Sequence, residues 1–432
     1  MSVTVDPATE LEAPGFDLRE CPDCGLFQHL PKLRPGLIAD CPRCGAVLRH
    51  RRRNSFTVTW ALMLTGLALF SVLLYAPLLG ISVAGRQQGT TLPTLPIAFE
   101  RFGMWELSVL VLLFTLIAPM MKLVLTSAVL IGIRSKQNPP IMSPATLAGM
   151  ARVRAWLTPW AMTEVFLLGL FVAYTRLTAY ATVTIGPALY AMGGLMLVMV
   201  AADAWLDEHA MWEAISRKRQ PHPPGRGSAI GCDTCGLVTN AMPGDPCPCC
   251  DSNLRVRKPE SLARCWALVA AAGALYIPAN LMPVMTIVRL GRSQTSTILE
   301  GVQELIAYKM WPLALIVFVA SVAVPVAKLF LLVLMLVKTQ RGAGGNLRQR
   351  TQLYRIVDII GRWSMIDVFM ISILTALVRM GFLASVIPEA GAVCFAGVVI
   401  LTMVAAASFD PRLMWDAAGQ REPSPKLSGL PA

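Results

Sequence analysis

The chain has 432 residues, 55% of them hydrophobic and 15% charged, with a formal net charge of +12. Soluble domains carry about a quarter charged residues, and here the shortfall comes from separate stretches of roughly 20 residues nearly free of charge, each long enough to cross a hydrocarbon core of about 30 Å; one soluble globule is excluded. The cations sit at the ends of those stretches, which points to membrane topology and anionic headgroups and away from nucleic acid.

Residues 1–20 hold Asp6, Glu10, Glu12, Asp17 and Glu20 and no apolar segment, so they read as an N-terminal tail and not as a signal peptide. The first cysteine module (21–53) contains Cys21-x2-Cys24-x16-Cys41-x2-Cys44, with Gly25 and Gly45 directly after each pair. Two such knuckles offer four thiolates, and a hairpin between them makes a tetrahedral site of the zinc-ribbon kind. A glycine after the second cysteine permits the tight turn. The first transmembrane unit (54–213) is predicted to hold spans over 58–80, 106–133, 157–178 and 187–206. A linker (214–229) leads to the second module (230–257), Cys232-x2-Cys235-x11-Cys247-x2-Cys250, where Cys249 is an extra thiol and regular spacing favours Cys250 as the fourth ligand. The second unit (258–416) is predicted to hold spans over 262–284, 311–337, 364–383 and 388–408, and the Pro-, Ser- and Gly-rich tail (417–432) to be disordered. Cys265 and Cys394 lie within spans and read as small packing residues.

One unit is written twice. Landmarks recur in order at offsets from 201 (Tyr75 to Tyr276) to 211 (Cys21 to Cys232) residues. Pro119-Met-Met-Lys122 matches Pro325-Val-Ala-Lys328, and Trp160-Ala-Met-Thr-Glu164-Val-Phe166 matches Trp363-Ser-Met-Ile-Asp367-Val-Phe369. The predicted fold class is an all-α polytopic membrane protein of two tandem units. Each unit has a four-cysteine zinc-ribbon-like module, four transmembrane helices and a small periplasmic cap in which short strands are expected. Met285–Leu290 has strand-like alternation and Thr297–Ile306 reads as a short amphipathic helix. Cations cluster at Arg49–Arg53, at Arg134, Lys136, Arg152 and Arg154, at Arg217, Lys218, Arg219 and Arg226, and at Lys338, Arg341, Arg348, Arg350, Arg355 and Arg362. The positive-inside rule therefore puts both modules and both termini in the cytoplasm.

In that reducing compartment disulfides are disfavoured, and no βαβ context supports a thioredoxin-like role. Zinc at two structural sites is the expectation, with iron as the alternative for four sulfurs. A closed four-cysteine site has no open position for catalysis.

Charges at mid-span demand a reason. Lys122 and Lys328 each follow a proline by three residues, and Glu164 and Asp367 lie in the third spans, which suggests an intramembrane ion pair or a hydrated polar cavity in each unit. Snorkelling of the carboxylates to headgroups, or a purely structural helix pair, is the alternative. The second copy is more polar: Ser321, Ser364 and Thr402 stand where the first has Thr115, Ala161 and Met199. Ser321, Lys328, Ser364, Asp367 and Thr402 are the candidate transport site, with Lys122 and Glu164 as weaker counterparts. No Walker A loop, Gly-x-Gly-x-x-Gly turn or His-Glu-x-x-His motif is present, so an enzyme is not expected.

The paired Cys-x-x-Cys modules, Pro119–Leu123 and Pro325–Leu329, the Trp-x-Met-x-[Glu/Asp]-Val-Phe stretches and the closing Ser408-Phe-Asp-Pro-Arg-Leu-Met-Trp415 resemble the paraquat-inducible protein A family. The first closing motif, Leu206-Asp-Glu-His-Ala-Met-Trp212, lacks the Pro-Arg. The resemblance implies a bacterial inner-membrane protein that loads phospholipid into, or receives it from, an MCE-family periplasmic tunnel protein, with Lys328 facing a phosphate. A membrane-anchored metal or redox sensor, or a non-transporting anchor for the tunnel protein, are the competing expectations.

Overall fold

The computed structural model describes residues 2–4, 17–31, 33–83, 86–135, 142–178, 182–217, 227–289, 292–307, 309–378 and 384–422. Of the disordered tail expected over 417–432, residues 417–422 are described and Ala417 closes the helix Arg412–Ala417, while 423–432, most of the linker (218–226) and Lys136 lie outside the described residues.

Among the described residues, seven helices are long and apolar enough to cross a membrane: Ser55–Tyr75, Trp105–Arg134, Pro144–Thr178, Pro187–Trp205, Ser261–Leu281, Trp311–Gln340 and Ala390–Ser408. The segment expected as the third span of the second unit is different. It forms a 12-residue helix, Ile366–Leu377, every residue of which is buried, and residues 379–383 lie outside the described set. It continues the helix Leu347–Gly361 through the tight turn Arg362–Met365, and its complete burial shows that it packs against protein on every side.

The prolines at 119 and 325 do not act as simple kinks. Each is preceded by a five-residue π-turn, Leu113–Ile117 and Val319–Ala323. The wider turn loosens the hydrogen-bond ladder before a residue that has no N–H, and such insertions often mark functional positions. Thr115 and Ser321 bond back to carbonyls four residues earlier within these turns, at 2.7 and 2.6 Å.

At one end, each first outer loop forms an antiparallel hairpin and a short helix: Leu79–Val83, Arg86–Thr90 and Thr94–Glu100 in one copy, Met285–Arg289, Arg292–Ser296 and Ile298–Ala307 in the other. A third strand comes from the loop after the third span, with Thr182–Ile185 pairing Leu79–Ser82 and Ala384–Pro388 pairing Met285–Arg289. The sheet is therefore built from two loops, and it ties the ends of the third and fourth spans to the first. Gly186 is required where that strand turns into the next helix, because a side chain there would collide with the Pro77 carbonyl.

At the other end the cysteine modules cross over. The first module packs with Cys265, Leu332, Leu336, Phe409 and Trp415 of the second unit. The second packs with Val129, Leu147, Met211 and Trp212 of the first unit. The first cap crosses as well, its helix and hairpin lying against Ile366–Leu377. The units are thus interlocked at both ends.

Candidate functional site

The cysteine centres are built from hairpin turns. Cys21 and Cys24 lie between strands Asp17–Glu20 and Phe27–Leu30, and Cys41 and Cys44 between Ile38–Asp40 and Val47–His50. In each turn the residue after the second cysteine returns its N–H to the carbonyl of the first, as Gly25 does to Cys21 at 2.9 Å and Gly45 to Cys41 at 2.8 Å. Those glycines have φ of 71° and 69°, and Gly236 has 72°. The fourth knuckle places Asp251 there, at φ 58°, a conformation that Asp tolerates better than most side chains.

The sulfurs approach in pairs: Cys21–Cys44 at 3.5 Å and Cys24–Cys41 at 3.6 Å, Cys232–Cys250 at 3.5 Å and Cys235–Cys247 at 3.6 Å. In each set all four lie within 4.8 Å of one another. Disulfide sulfurs would be about 2.05 Å apart, whereas four thiolates at about 2.3 Å from one ion are about 3.8 Å apart at tetrahedral angles. The donor set therefore fits a metal ion. Cys249 stays outside it, with its sulfur 3.8 Å from the Trp212 carbonyl.

One arginine from the opposite unit braces each centre. Arg355 bonds Asp23 at 2.6 Å and the carbonyls of Cys44 and Gly45 at 3.3 and 3.2 Å, and lies 3.5 Å from the Cys44 sulfur. Arg152, its repeat mate 203 residues earlier (355 less 152), donates to the Cys250 carbonyl. A guanidinium beside four thiolates offsets the negative charge that such a centre keeps after binding a divalent ion.

Between the modules lies a buried ion-pair hub. Arg412, from the Pro-Arg that only the second closing motif has, bonds Asp410 at 3.0 Å, Asp233 at 3.0 Å and Glu20 at 3.3 Å. Arg257 joins Glu20 to Asp416. Burial would raise the Asp410 carboxyl, but the bonds and charge of Arg412 and the Lys258 and Arg412 amides hold it below the usual range. For Glu20 burial wins over Arg412 and Arg257 and pushes the carboxyl up.

Within the membrane region the predicted pairing of Lys122 with Glu164 is corrected. Lys122 donates to Asp203 of the fourth span at 2.6 Å, and Glu164 is half-buried with a Thr163 hydroxyl 3.4 Å away. Asp203 carries the second half of the pair, and Ala406 stands at its place in the second copy. Among the described residues Lys328 makes no ion pair, and its ammonium packs on Gly361, where a side chain would collide with it.

Of the predicted cluster, the structure brings Ser321 and Asp367 together. Ser321 is fully buried and Asp367 is 4% exposed. One carboxylate oxygen of Asp367 has no hydrogen-bond partner among the described residues, nor do the buried hydroxyls of Ser372 on the same helix and of Ser364 in the turn before it. Asp367 lines a cavity of about 30 Å³ with Arg176, Val317, Met370, Phe395 and the cap residue Ser296, room for one or two water molecules. Thr402 is buried and bonds the Val399 carbonyl at 2.9 Å, and Lys328 lies apart, at Gly361. Arg176 was not in the predicted set. It comes from the first unit and also holds Glu304 of the cap helix at 3.4 Å. Its signal was present: an arginine at the cation-poor end of its span.

The model of the family described as paraquat-inducible protein A matches residues 56–216 and 262–419. The intermembrane transport protein PqiA of Escherichia coli strain K12 is 34% identical over 415 residues, covering 93% of this chain and 96% of the relative. The lipophilic envelope-spanning tunnel protein A of the same strain is 30% identical over 419 residues, 94% of this chain and 93% of the relative. A probable intermembrane transport protein of Haemophilus influenzae is 24% identical over 429 residues, 95% and 98% of the two chains. No solved structure matches the chain.

Proposed function

The chain belongs to the paraquat-inducible protein A family and is a multi-pass membrane protein, and from that premise we propose that it is the inner-membrane component of an intermembrane lipid transport system. In this reading the caps face the periplasm, and the cysteine modules and termini face the cytoplasm. The protein passes phospholipid to, or takes it from, an MCE-family tunnel partner at the capped end. It is not an enzyme.

The observation that carries the reading is Asp367: a buried carboxylate with an unpartnered oxygen, beside a small cavity under the cap, facing an arginine supplied by the other unit. A buried charge of this kind is costly to keep without a task. The transport site is proposed as Ser321, Ser364, Asp367 and Thr402, with Arg176 added. Lys328 serves it from the module side, and Lys122 and Glu164 form the supporting copy. A cavity of about 30 Å³ is far smaller than a headgroup, so lipid entry requires the helix Ile298–Ala307 to swing away, breaking the bond of Arg176 to Glu304.

Zinc is the ion proposed for Cys21, Cys24, Cys41 and Cys44 and for Cys232, Cys235, Cys247 and Cys250, with iron the alternative the donors also allow. Bound there it supplies folding energy, and the four sulfurs leave no coordination position open. Burial of Cys249 against Trp212 speaks against a redox-sensing thiol.

In-cell photocrosslinking from position 370, where Met370 lines the same cavity and Asp367 stays in place, tests the proposal. Capture of a phospholipid supports it. A crosslink that yields only protein, from a variant with intact barrier function, overturns it.

A further inference from the structure

On the cysteine-module side, a pocket of about 420 Å³ opens between the start of Ser55–Tyr75 and the amphipathic helix Glu208–Arg217. Arg49, Arg51, Arg52 and Arg217 line it against two acids, Asp207 and Glu213. Glu213 is shared by Arg217 at 2.5 Å and Arg49 at 3.9 Å, and Asp207 accepts the Ala210 amide at 3.0 Å. Four cations less two anions leaves the lining with two positive charges in excess.

The guanidiniums are held in place but not used up. Arg52 bonds the Ala204 carbonyl at the end of the fourth span and lies over the Trp205 ring at 5.2 Å, and Arg51 bonds the Leu33 carbonyl. Each guanidinium has five N–H donors, so several remain.

The second copy arranges its cations differently. There Arg257 is neutralised by Asp416 and Glu20, and Lys258 bonds the Ala407 and Phe409 carbonyls beside Asp410. At the left-handed residue before the helix, the second copy has Glu260 at φ 51° where the first has Asn54 at φ 53°. Arg255, Lys258 and Arg264 line a separate pocket there with Asp233, so what sets the first pocket apart is Arg217, at whose place the second copy has Gln420. The pocket lies at the ends of two spans, beside Ser55 and Trp205, which is headgroup depth.

We propose that this pocket binds a phosphate group, presented by an anionic phospholipid headgroup or as the free ion. Guanidinium forks match phosphate oxygens in geometry as well as charge, and basic pockets at membrane-helix ends recognise anionic headgroups. The site is separate from Asp367 and does not depend on the transport reading.

The test uses the purified full-length chain in neutral detergent and follows thermal stabilisation by three probes: dihexanoyl-phosphatidylglycerol, dihexanoyl-phosphatidylcholine and inorganic phosphate. Saturable stabilisation by the phosphatidylglycerol but not by phosphate identifies a lipid headgroup site, and stabilisation by inorganic phosphate that competes with the phosphatidylglycerol identifies a free-ion site. Arg52→Gln with Arg217→Gln should weaken either by at least about tenfold. Thr57→Glu puts a carboxylate into the pocket at an exposed lining position and should do the same while the protein unfolds at an unchanged temperature without ligand. Equal stabilisation by phosphatidylcholine, no stabilisation by any probe, or full binding by Thr57→Glu overturns the proposal.

Discussion

Phe166 and Phe369 occupy the same place in the two repeats and meet edge to face, with ring centroids 5.5 Å apart and planes at 77°. The contact marks the axis about which the units exchange modules and caps. Gly169 makes it possible: a Cβ there would lie 3.1 Å from the Phe369 Cβ and 3.2 Å from the Ile366 carbonyl oxygen. Gly169→Leu should therefore overpack the axis and destabilise by about 1–3 kcal/mol, and Phe369→Ala by about 3–5 kcal/mol. Thermal unfolding in detergent measures both, and a Gly169→Leu protein as stable as the parent would remove the axis from the account.

Much of this was legible in the sequence, and the part that was not is non-local. The cysteine spacing, the repeats and the apolar runs are local patterns, and they place the knuckles, seven of the helices and the cap elements. The exchange of modules leaves no such trace, because Arg355 and Cys44 meet across 311 residues. Asp203 was visible as a charge in the fourth span, but choosing it over Glu164 for Lys122 requires knowing which helices touch. The third cap strand, Thr182–Ile185, is too short to declare itself without its partner.

The crossed bracing makes the metal centres sensitive to substitutions in the opposite membrane unit. Arg355→Ala should lower the metal affinity of the first module by about 10–100-fold and leave the second unchanged, and Arg152→Ala should do the reverse. Metal release to a chromophoric chelator, with the remaining site assigned by cysteine labelling, separates the two. Equal release from both modules in either variant would mean that bracing is global.

Lys122 is 4% exposed at its side chain and Asp203 is 43% exposed. Removing the acid strands a buried ammonium, whereas removing the ammonium leaves an acid that water can reach. Asp203→Ala should thus destabilise more than Lys122→Met, and Lys122→Met with Asp203→Ala should recover part of the loss. Unfolding temperatures of the three variants rank the effect, and the reverse order would show that Asp203 does not compensate Lys122.

Glu20 and Asp410 share Arg412 but titrate in opposite senses. Asp410 is held below its usual range, so its contribution is complete above about pH 3.9 and fades only as pH falls through its lowered value. Glu20 is raised, so its contribution is complete below about pH 4.3 and is lost as pH rises through its folded value. Stability of the parent relative to Glu20→Gln should accordingly fall as pH rises across the mildly acidic range. Taking the difference cancels the loss of metal that acid causes in both proteins. A difference that is flat, or that rises with pH, would contradict the raised Glu20.

Asp367→Asn distinguishes a working carboxylate from a structural one. The amide has the same shape, can still meet Ser321, and removes a buried charge with an unpartnered oxygen. On stability alone the change should be neutral or favourable, because desolvation of the carboxylate is relieved. If Asp367 works in transport, the same change should abolish envelope-barrier function at an unaltered protein level. Arg176→Met removes the cation that bonds Glu304 and lies beside Asp367 in the cavity lining, and should lose both stability and function. Function in cells and unfolding temperature in detergent must therefore part for Asp367→Asn and move together for Arg176→Met; a functional Asp367→Asn protein would return the carboxylate to packing.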